Sequence, residues 1–485
     1  MKNKKNISTL AFLLAILMLI PTLLISCNDD PDTDDPSDTV GGTGDTAADV
    51  TDEVPALDLD EREFNFLIFE QGFADMTHVF DEPSDDPVDY AKYLTITELE
   101  NRFNVDIVEY VESDGYVNST YRSMIQTGAD DYDIVFAYDL YAHYFAEEGV
   151  AYDYESLGYV DLEKDYWDQC LLEYTTVGDQ VYYAFGTYDF TYYDLTHCLV
   201  FNKGMISALG CENPYDLVTS GEWTMDKMYE MCRAATVEVN GDGKMTDADN
   251  YGFLASGKQI LPNFWISSGT TTVKLNSDNL PEVNISGNER LSNVIDKCFE
   301  MFWNGEVWSQ YTGDANQPDN QATMFKNDQG LFADYTFYYL SQLRDSYVEF
   351  GILPYPKYDS EQTEYHSRVE AGSTVAVVPI TNADPLSAGA ILEAMASTGY
   401  SKILPAYYES VLKRKISRDE ESQGMLDLIF KTRVYDLGDT WYCDQIRDGL
   451  FKKMWNNNQN RLSSMYAAYR KMIDSTIEET IKAYS

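Results

Sequence analysis

The chain has 485 residues, with 82 Asp and Glu against 34 Lys and Arg, for a formal net charge of −48. That balance argues against nucleic acid as a partner, because phosphate binding needs clustered Lys and Arg, and against an electrostatic hold on anionic lipid. It fits an exposed, soluble surface and permits a cationic ligand without requiring one.

The first thirty residues address the chain. Lys2, Lys4 and Lys5 form a basic start, Leu10 to Ile25 is almost wholly apolar, and Ser26-Cys27 follows, then Asn28, Asp29 and Asp30. A charged start, an apolar core and a small residue before the cut describe a secretory signal peptide over residues 1–26. The cysteine directly after the small residue resembles a bacterial lipobox, which implies that Cys27 carries lipid and becomes the mature N-terminus. Acyl chains then hold the protein at the extracellular face of the cell membrane. Residues 27–58 are rich in Asp, Thr, Gly and Pro, with no Lys, Arg or aromatic. Such a segment buries too little apolar surface to fold and reads as an acidic disordered tether, with an end-to-end distance of about 30 Å.

Residues 59–485 exceed one ordinary core, so two lobes are expected. Phe64–Phe69 reads as a buried strand, Asp89–Phe103 as a helix, and Val105–Val111 as the next strand. Tyr116–Thr127 reads as a second helix stopped by Gly128, and Asp133–Tyr138 as a third strand. Strand and helix in alternation predict an α/β fold with a parallel sheet. Ligands bind beyond the carboxyl ends of such strands. That points to Glu70 after the first strand and to Tyr138 and Asp139 after the third. The body has six cysteines and no CxxC pair, so its disulfide state stays open. Its four His stand at no metal-ligand spacing, and HExxH, GxSxG, P-loop and GxGxxG motifs are absent. With 38 Tyr, 22 Phe and 7 Trp, aromatic faces suited to sugar rings are plentiful, although most such rings serve packing.

After this order come Val181-Tyr182-Tyr183-Ala184-Phe185-Gly186, Leu199 to Lys203, Leu209-Gly210, Asn213-Pro214 and Trp223-Thr224, with Thr224 placed as a helix N-cap. Later segments are Ala322 to Phe325, Gly330 to Phe332, Phe350 to Lys357 and Ala371 to Pro379. The series resembles the extracellular solute-binding proteins of ABC importers, of the family that includes maltose-type sugar-binding proteins. Phe201-Asn202-Lys203 stands where that family carries Tyr-Asn-Lys. The resemblance implies a two-lobed, periplasmic-binding-protein-like fold of type II, with several crossovers forming a hinge. It places one lobe at 59–186 and 335–372, and the other at 187–334 and 373–485. It implies a monomer that delivers a ligand, a carbohydrate by preference, to importer membrane subunits by lobe closure, with no catalysis. The implied ligand contacts are Glu70, Tyr138, Asp139, Tyr188, Trp265, Tyr335, Phe337, Glu370 and Ser373. Trp223 is assigned to packing. The alternatives are an exported glycan-active enzyme, for which two carboxylates suffice, and the same fold binding a peptide or polyamine.

One local motif is sharp. Residues 238–249 fit a twelve-residue EF-hand loop at most positions. Oxygens fall at Glu238, Asn240, Asp242, Thr246 and Asp249, with the Lys244 carbonyl at position seven and Gly243 at the turn. Glu at position one and Asp at twelve depart from the commonest pattern. The expected role is a structural Ca²⁺ site; the plain alternative is a polar Asn-Gly-Asp-Gly turn.

Overall fold

β1 (Arg62–Phe69) is central in a first sheet, and its alternation explains its burial. Phe64, Phe66 and Ile68 enter one apolar cluster, while Leu67 and Phe69 enter another. A strand covered on both faces reads as a continuous apolar run. β1 pairs in parallel with β2 (Val105–Glu112) and β3 (Ile134–Tyr138), and β12 (Thr374–Val377) adds antiparallel to β3. The strand order is β12-β3-β1-β2. We describe residues 51–69, 76–112, 118–311, 320–409 and 419–484 from a computed structural model. All fall in one compact unit, and none forms a helix long and apolar enough to cross a membrane. Residues 1–50, with Cys27, and Glu70 lie outside the described residues.

The expected helices are present. The first runs Pro87–Phe103, two residues earlier than predicted. Pro87 at its first position needs no N–H partner, and the Asp86 carboxylate accepts the Val88 N–H at 2.9 Å. The second is Asn118–Gln126, followed by Gly128 at φ +93°, the left-handed conformation that favours glycine.

A second sheet holds β4 (His197–Asn202), β5 (Tyr251–Ser256), β8 (Trp308–Tyr311), β9 (Gly330–Thr336) and β10 (Phe350–Leu353), in the order β10-β4-β9-β5-β8. β5 runs parallel to β8 and β9, whereas β4 is antiparallel to β9 and β10. β6 (Val273–Leu275) and β7 (Pro281–Val283) form a hairpin. β11 (Ser367–Arg368) pairs in parallel with β13 (Arg433–Val434).

This topology corrects the expected boundaries. β10 lies within 335–372, expected in the first lobe, yet it pairs with β4 of the second sheet. β12 lies within 373–485, expected in the second lobe, yet it completes the first sheet. The helix Pro385–Tyr407 packs against Pro87–Phe103, and its Ala388, Ile391 and Leu392 share a core with Phe64 and Phe66. The segment 320–336 stays in the second sheet rather than crossing, and 181–186 carries only an isolated bridge from Gly186 to Trp167. β-type apolar runs state that a strand is buried, not which sheet buries it.

Three stretches of chain lie side by side where the sheets meet. Thr196 bridges Val369, and Leu195 accepts the Glu370 N–H at 3.1 Å. Val369 donates its N–H to Val434 at 3.1 Å, extending the β11–β13 ladder. Three residues later, Gly372 donates to Asp139 Oδ1 at 2.7 Å, and Ser373 accepts the Asp139 N–H at 2.9 Å. The run Arg368–Ser373 is therefore bonded to the second lobe at its start and to the first lobe at its end.

Candidate functional site

The carboxyl ends of β5 and β9 meet this junction, and the side chains they deliver form one polar network. β9 alternates, so Asp334 faces the junction while Tyr335 faces away into a core with Cys198 and Phe337. Asp334 Oδ1 lies 2.9 Å from His197 Nδ1 and accepts from Tyr355 Oη at 2.7 Å and from Asn263 Nδ2 at 3.0 Å. Arg368 donates to His197 Nε2 at 3.0 Å. His197 Nε2 also lies 3.3 Å from Glu370 Oε2. Burial and the Arg368 charge lower the imidazole's pKa, but Asp334 and Glu370 outweigh them and hold it above the ordinary value. His197, Asn263, Tyr355 and Arg368 are all buried.

Arg368 is anchored from behind. Its Nε reaches Asp439 Oδ2 at 2.6 Å and its Nη2 reaches Asp439 Oδ1 at 3.0 Å, while Arg447 donates to the Asp439 main-chain oxygen at 3.0 Å. Such a forked pair fixes orientation as well as charge.

Toward solvent the network ends in half-buried groups. Glu370 accepts from Gln259 at 2.9 and 3.0 Å and pairs with Lys258 at 3.3 Å. Burial alone would raise its pKa, but Lys258, His197 and Arg368 hold it well below the ordinary carboxylate range. Lys258 and Gln259 open the helix Gly257–Ser267 that follows β5. From the first sheet, Tyr138 and Tyr141 present half-buried rings with centroids 5.6 Å apart. The network thus offers a fixed anion, a cation, an amide and aromatic faces at the junction of two lobes. Those are hydrogen-bonding and stacking elements for a polar ligand.

The site residues expected from sequence divide into two groups. Glu370, Tyr138 and Asp139 come together at the junction. Asp139 is fully buried, accepts from Tyr435 Oη at 2.9 Å, and its carboxyl is pushed up to about 7 by burial. Of the others, Glu70 lies outside the described residues, while Trp265, Tyr188, Phe337, Tyr335 and Ser373 stand buried. Trp265 is wholly buried against Phe451, at 4.7 Å between centroids, and donates its indole N–H to Asp436 at 2.9 Å. Tyr188 donates to the Ala184 oxygen at 2.7 Å and accepts the Ala376 N–H at 3.0 Å. Phe337 packs on Phe430 at 4.8 Å, and Tyr335 and Ser373 are buried. Trp223 does pack, donating to the Pro354 oxygen at 3.0 Å, and Thr224 caps its helix. Sequence reasoning missed His197, Lys258, Gln259, Asn263, Asp334, Arg368 and Asp439. Lone polar residues inside apolar runs, such as Asp334 in Gly330–Thr336, were the available signal.

The 238–249 loop keeps to itself. Asp249 is buried; its Oδ1 accepts from Val239 N at 2.9 Å and Oδ2 from Thr246 N at 2.8 Å. Glu238, Asn240 and Asp242 accept amides inside the loop, and Gly241 and Gly243 take φ of +80° and +75°. Among the described residues, the carboxylates of Glu238, Asp242 and Asp249 do not all lie within 4.8 Å of one another. Asp249 is the member most committed to the loop itself.

The comparisons with known proteins agree with this architecture. A family model described as bacterial extracellular solute-binding protein matches residues 88–401, more than half of the chain. Solved structures of similar fold include an ABC substrate-binding protein from Listeria monocytogenes in complex with cycloalternan, 12% identical over 86% of this chain and 100% of that one, with a TM-score of 0.55. UspC of M. tuberculosis is 13% identical over 86% of this chain and 100% of its own, with a TM-score of 0.57. The cyclic α-maltosyl-1,6-maltose binding protein from Arthrobacter globiformis is 12% identical over 87% and 98%, with a TM-score of 0.55. At these identities the likeness carries the two-lobed fold. No curated protein sequence matches the chain. The family match, on a two-lobed α/β body with a polar junction, places this chain among the bacterial extracellular solute-binding proteins.

Proposed function

We propose that the protein captures a carbohydrate outside the cell and delivers it, chemically unchanged, to an ABC importer. The observation that carries this is the junction itself. The half-buried Glu370, Lys258 and Gln259 end a buried network where the carboxyl ends of both sheets meet. Carboxylate, ammonium and amide groups suit hydroxyls, and the Tyr138 and Tyr141 rings suit the apolar face of a pyranose. The similar proteins named above that were solved with or named for a ligand bind oligosaccharides, which supports the class. A ligand bonded to both lobes favours the closed form by its extra affinity for it. We further propose that Cys27 is lipidated after signal cleavage, that residues 28–58 tether a monomeric body to the membrane, and that the 238–249 loop holds Ca²⁺ in a structural role.

Thermal unfolding of the protein against oligosaccharides, peptides and polyamines tests the main reading. A ligand at 100 times its dissociation constant adds about 2.7 kcal/mol of stability. A raised midpoint with one sugar, recovered intact, is the expected result. A hit only among peptides or polyamines overturns the ligand class, and consumption of a glycan overturns the binding-only role.

A further inference from the structure

We propose that a second pocket, at the β2 edge of the first sheet, binds a small organic ammonium ion. The β1–β2 register sets Leu67 beside Tyr110 and Phe69 beside Glu112. Successive side chains alternate faces, so these four share one face. The helix Asn118–Gln126 lies over part of it, bringing Tyr121 and Met124. A cavity of about 270 Å³ remains, floored by Leu67 and Phe69 and walled by Tyr121, Tyr132, Met124 and Glu112. It lies below the ~300 Å³ at which drug-sized pockets begin, so its occupant is small.

Two of the lining rings, Tyr121 and Tyr132, are in contact, and Tyr110, which touches Tyr132, is outside the lining. Tyr121 and Tyr132 meet at 5.3 Å and 67°, and Tyr110 meets Tyr132 at 5.5 Å and 66°. An aromatic ring attracts a cation set against its face through the ring quadrupole. Tyr121 is only 4% exposed, and its hydroxyl is buried with no hydrogen-bond partner. A buried hydroxyl without a partner is costly unless something fills it. Charge fixes the sign of the occupant. Glu112 lines the cavity, Asp130 and Asp131 act on Tyr121, and the lining holds no Lys or Arg among the described residues. Arg122, next in sequence to Tyr121, turns away to Glu148 at 3.0 Å and the Tyr144 ring at 5.1 Å. The site is distinct from the junction, since β1 and β3 separate β2 from β12, a span of roughly 14 Å at strand spacing.

Met124 reports on the cavity. In protein labelled with [methyl-13C]methionine, its signal, assigned with Met124→Leu, is followed during titration with putrescine, with tetramethylammonium and with glucose. The expected result is a saturable shift with both ammonium probes and none with glucose. Tyr121→Phe, which removes only the hydroxyl, weakens putrescine at least threefold and leaves tetramethylammonium unchanged. Tyr132→Ala abolishes both while the other methionine signals stay in place. No shift with either ammonium probe, a shift with glucose instead, or putrescine binding indifferent to Tyr121→Phe overturns the proposal.

Discussion

Arg368 and Asp439 form a forked ion pair in which neither side chain meets solvent: the guanidinium side chain is 1% exposed and the carboxylate 0%. Removing one partner of a buried pair strands the other charge, which costs about 3–5 kcal/mol. Arg368→Ala is expected to lower stability by that amount in urea unfolding. It also releases His197 and Gln259, so Arg368→Lys, which keeps charge but loses the fork, is expected to fall between wild type and Arg368→Ala.

Three buried carboxyls set a pH dependence. Burial pushes Asp139 up to about 7, Glu393 to about 7 and Asp436 to about 6. In the unfolded chain such groups titrate near 4. Between these values the folded protein binds more protons than the unfolded one, so stability falls as pH rises. Their contribution is complete below about pH 4 and is lost on passing through 6 to 7. The urea midpoint is expected to be higher at pH 5 than at pH 7.5, and Asp139→Asn is expected to flatten that slope.

Trp265 separates packing from recognition. It is a core residue, with its N–H on Asp436, whose carboxylate also accepts from Thr272 N at 2.9 Å. Trp265→Ala is expected to cost about 3–5 kcal/mol in stability. Trp265→Phe keeps most of the volume and leaves Asp436 Oδ2 its two Thr272 donors, so its cost is expected to be smaller. A dissociation constant for the sugar within twofold of wild type in the Phe variant would place Trp265 outside the ligand site.

The 238–249 loop, proposed to hold Ca²⁺, yields a separate prediction. Terbium luminescence is expected to rise on titration, to be reversed by chelator, and to vanish in Asp242→Ala. An unchanged signal in that variant would move the ion elsewhere.

The first sheet was legible because its strands and helices alternate with clear punctuation. Gly128 reads as a helix stop for a local reason, whereas the Asp86-Pro87 start was missed and the helix begins two residues before the expected Asp89. The second sheet was less so. Its strands arrive in the order β10-β4-β9-β5-β8, a product of long-range pairing that no local window carries. The site was half legible. Tyr138, Asp139 and Glu370 sit where carboxyl ends and crossovers place them. Tyr335 shows the difficulty: it lies in the right strand, but one residue moves a side chain to the opposite face, and Asp334 is the group that reaches the junction. Aromatic content misled at Trp265 and Tyr188, whose polar tips are satisfied inside the core rather than offered to a ligand.

Between the Glu370 N–H, bonded to Leu195, and the Gly372 N–H, bonded to Asp139, stands a single residue, Ala371. Whatever angle the lobes sweep along this stretch is concentrated in the few torsions flanking it. Gly372 already holds φ at +141°, a value that L side chains rarely adopt. Motion there is rotation about a point rather than sliding of packed faces. Its rate then answers to the stiffness of one peptide unit, and Ala371→Pro, by fixing φ near −65° and restricting Glu370 before it, would act on that unit directly.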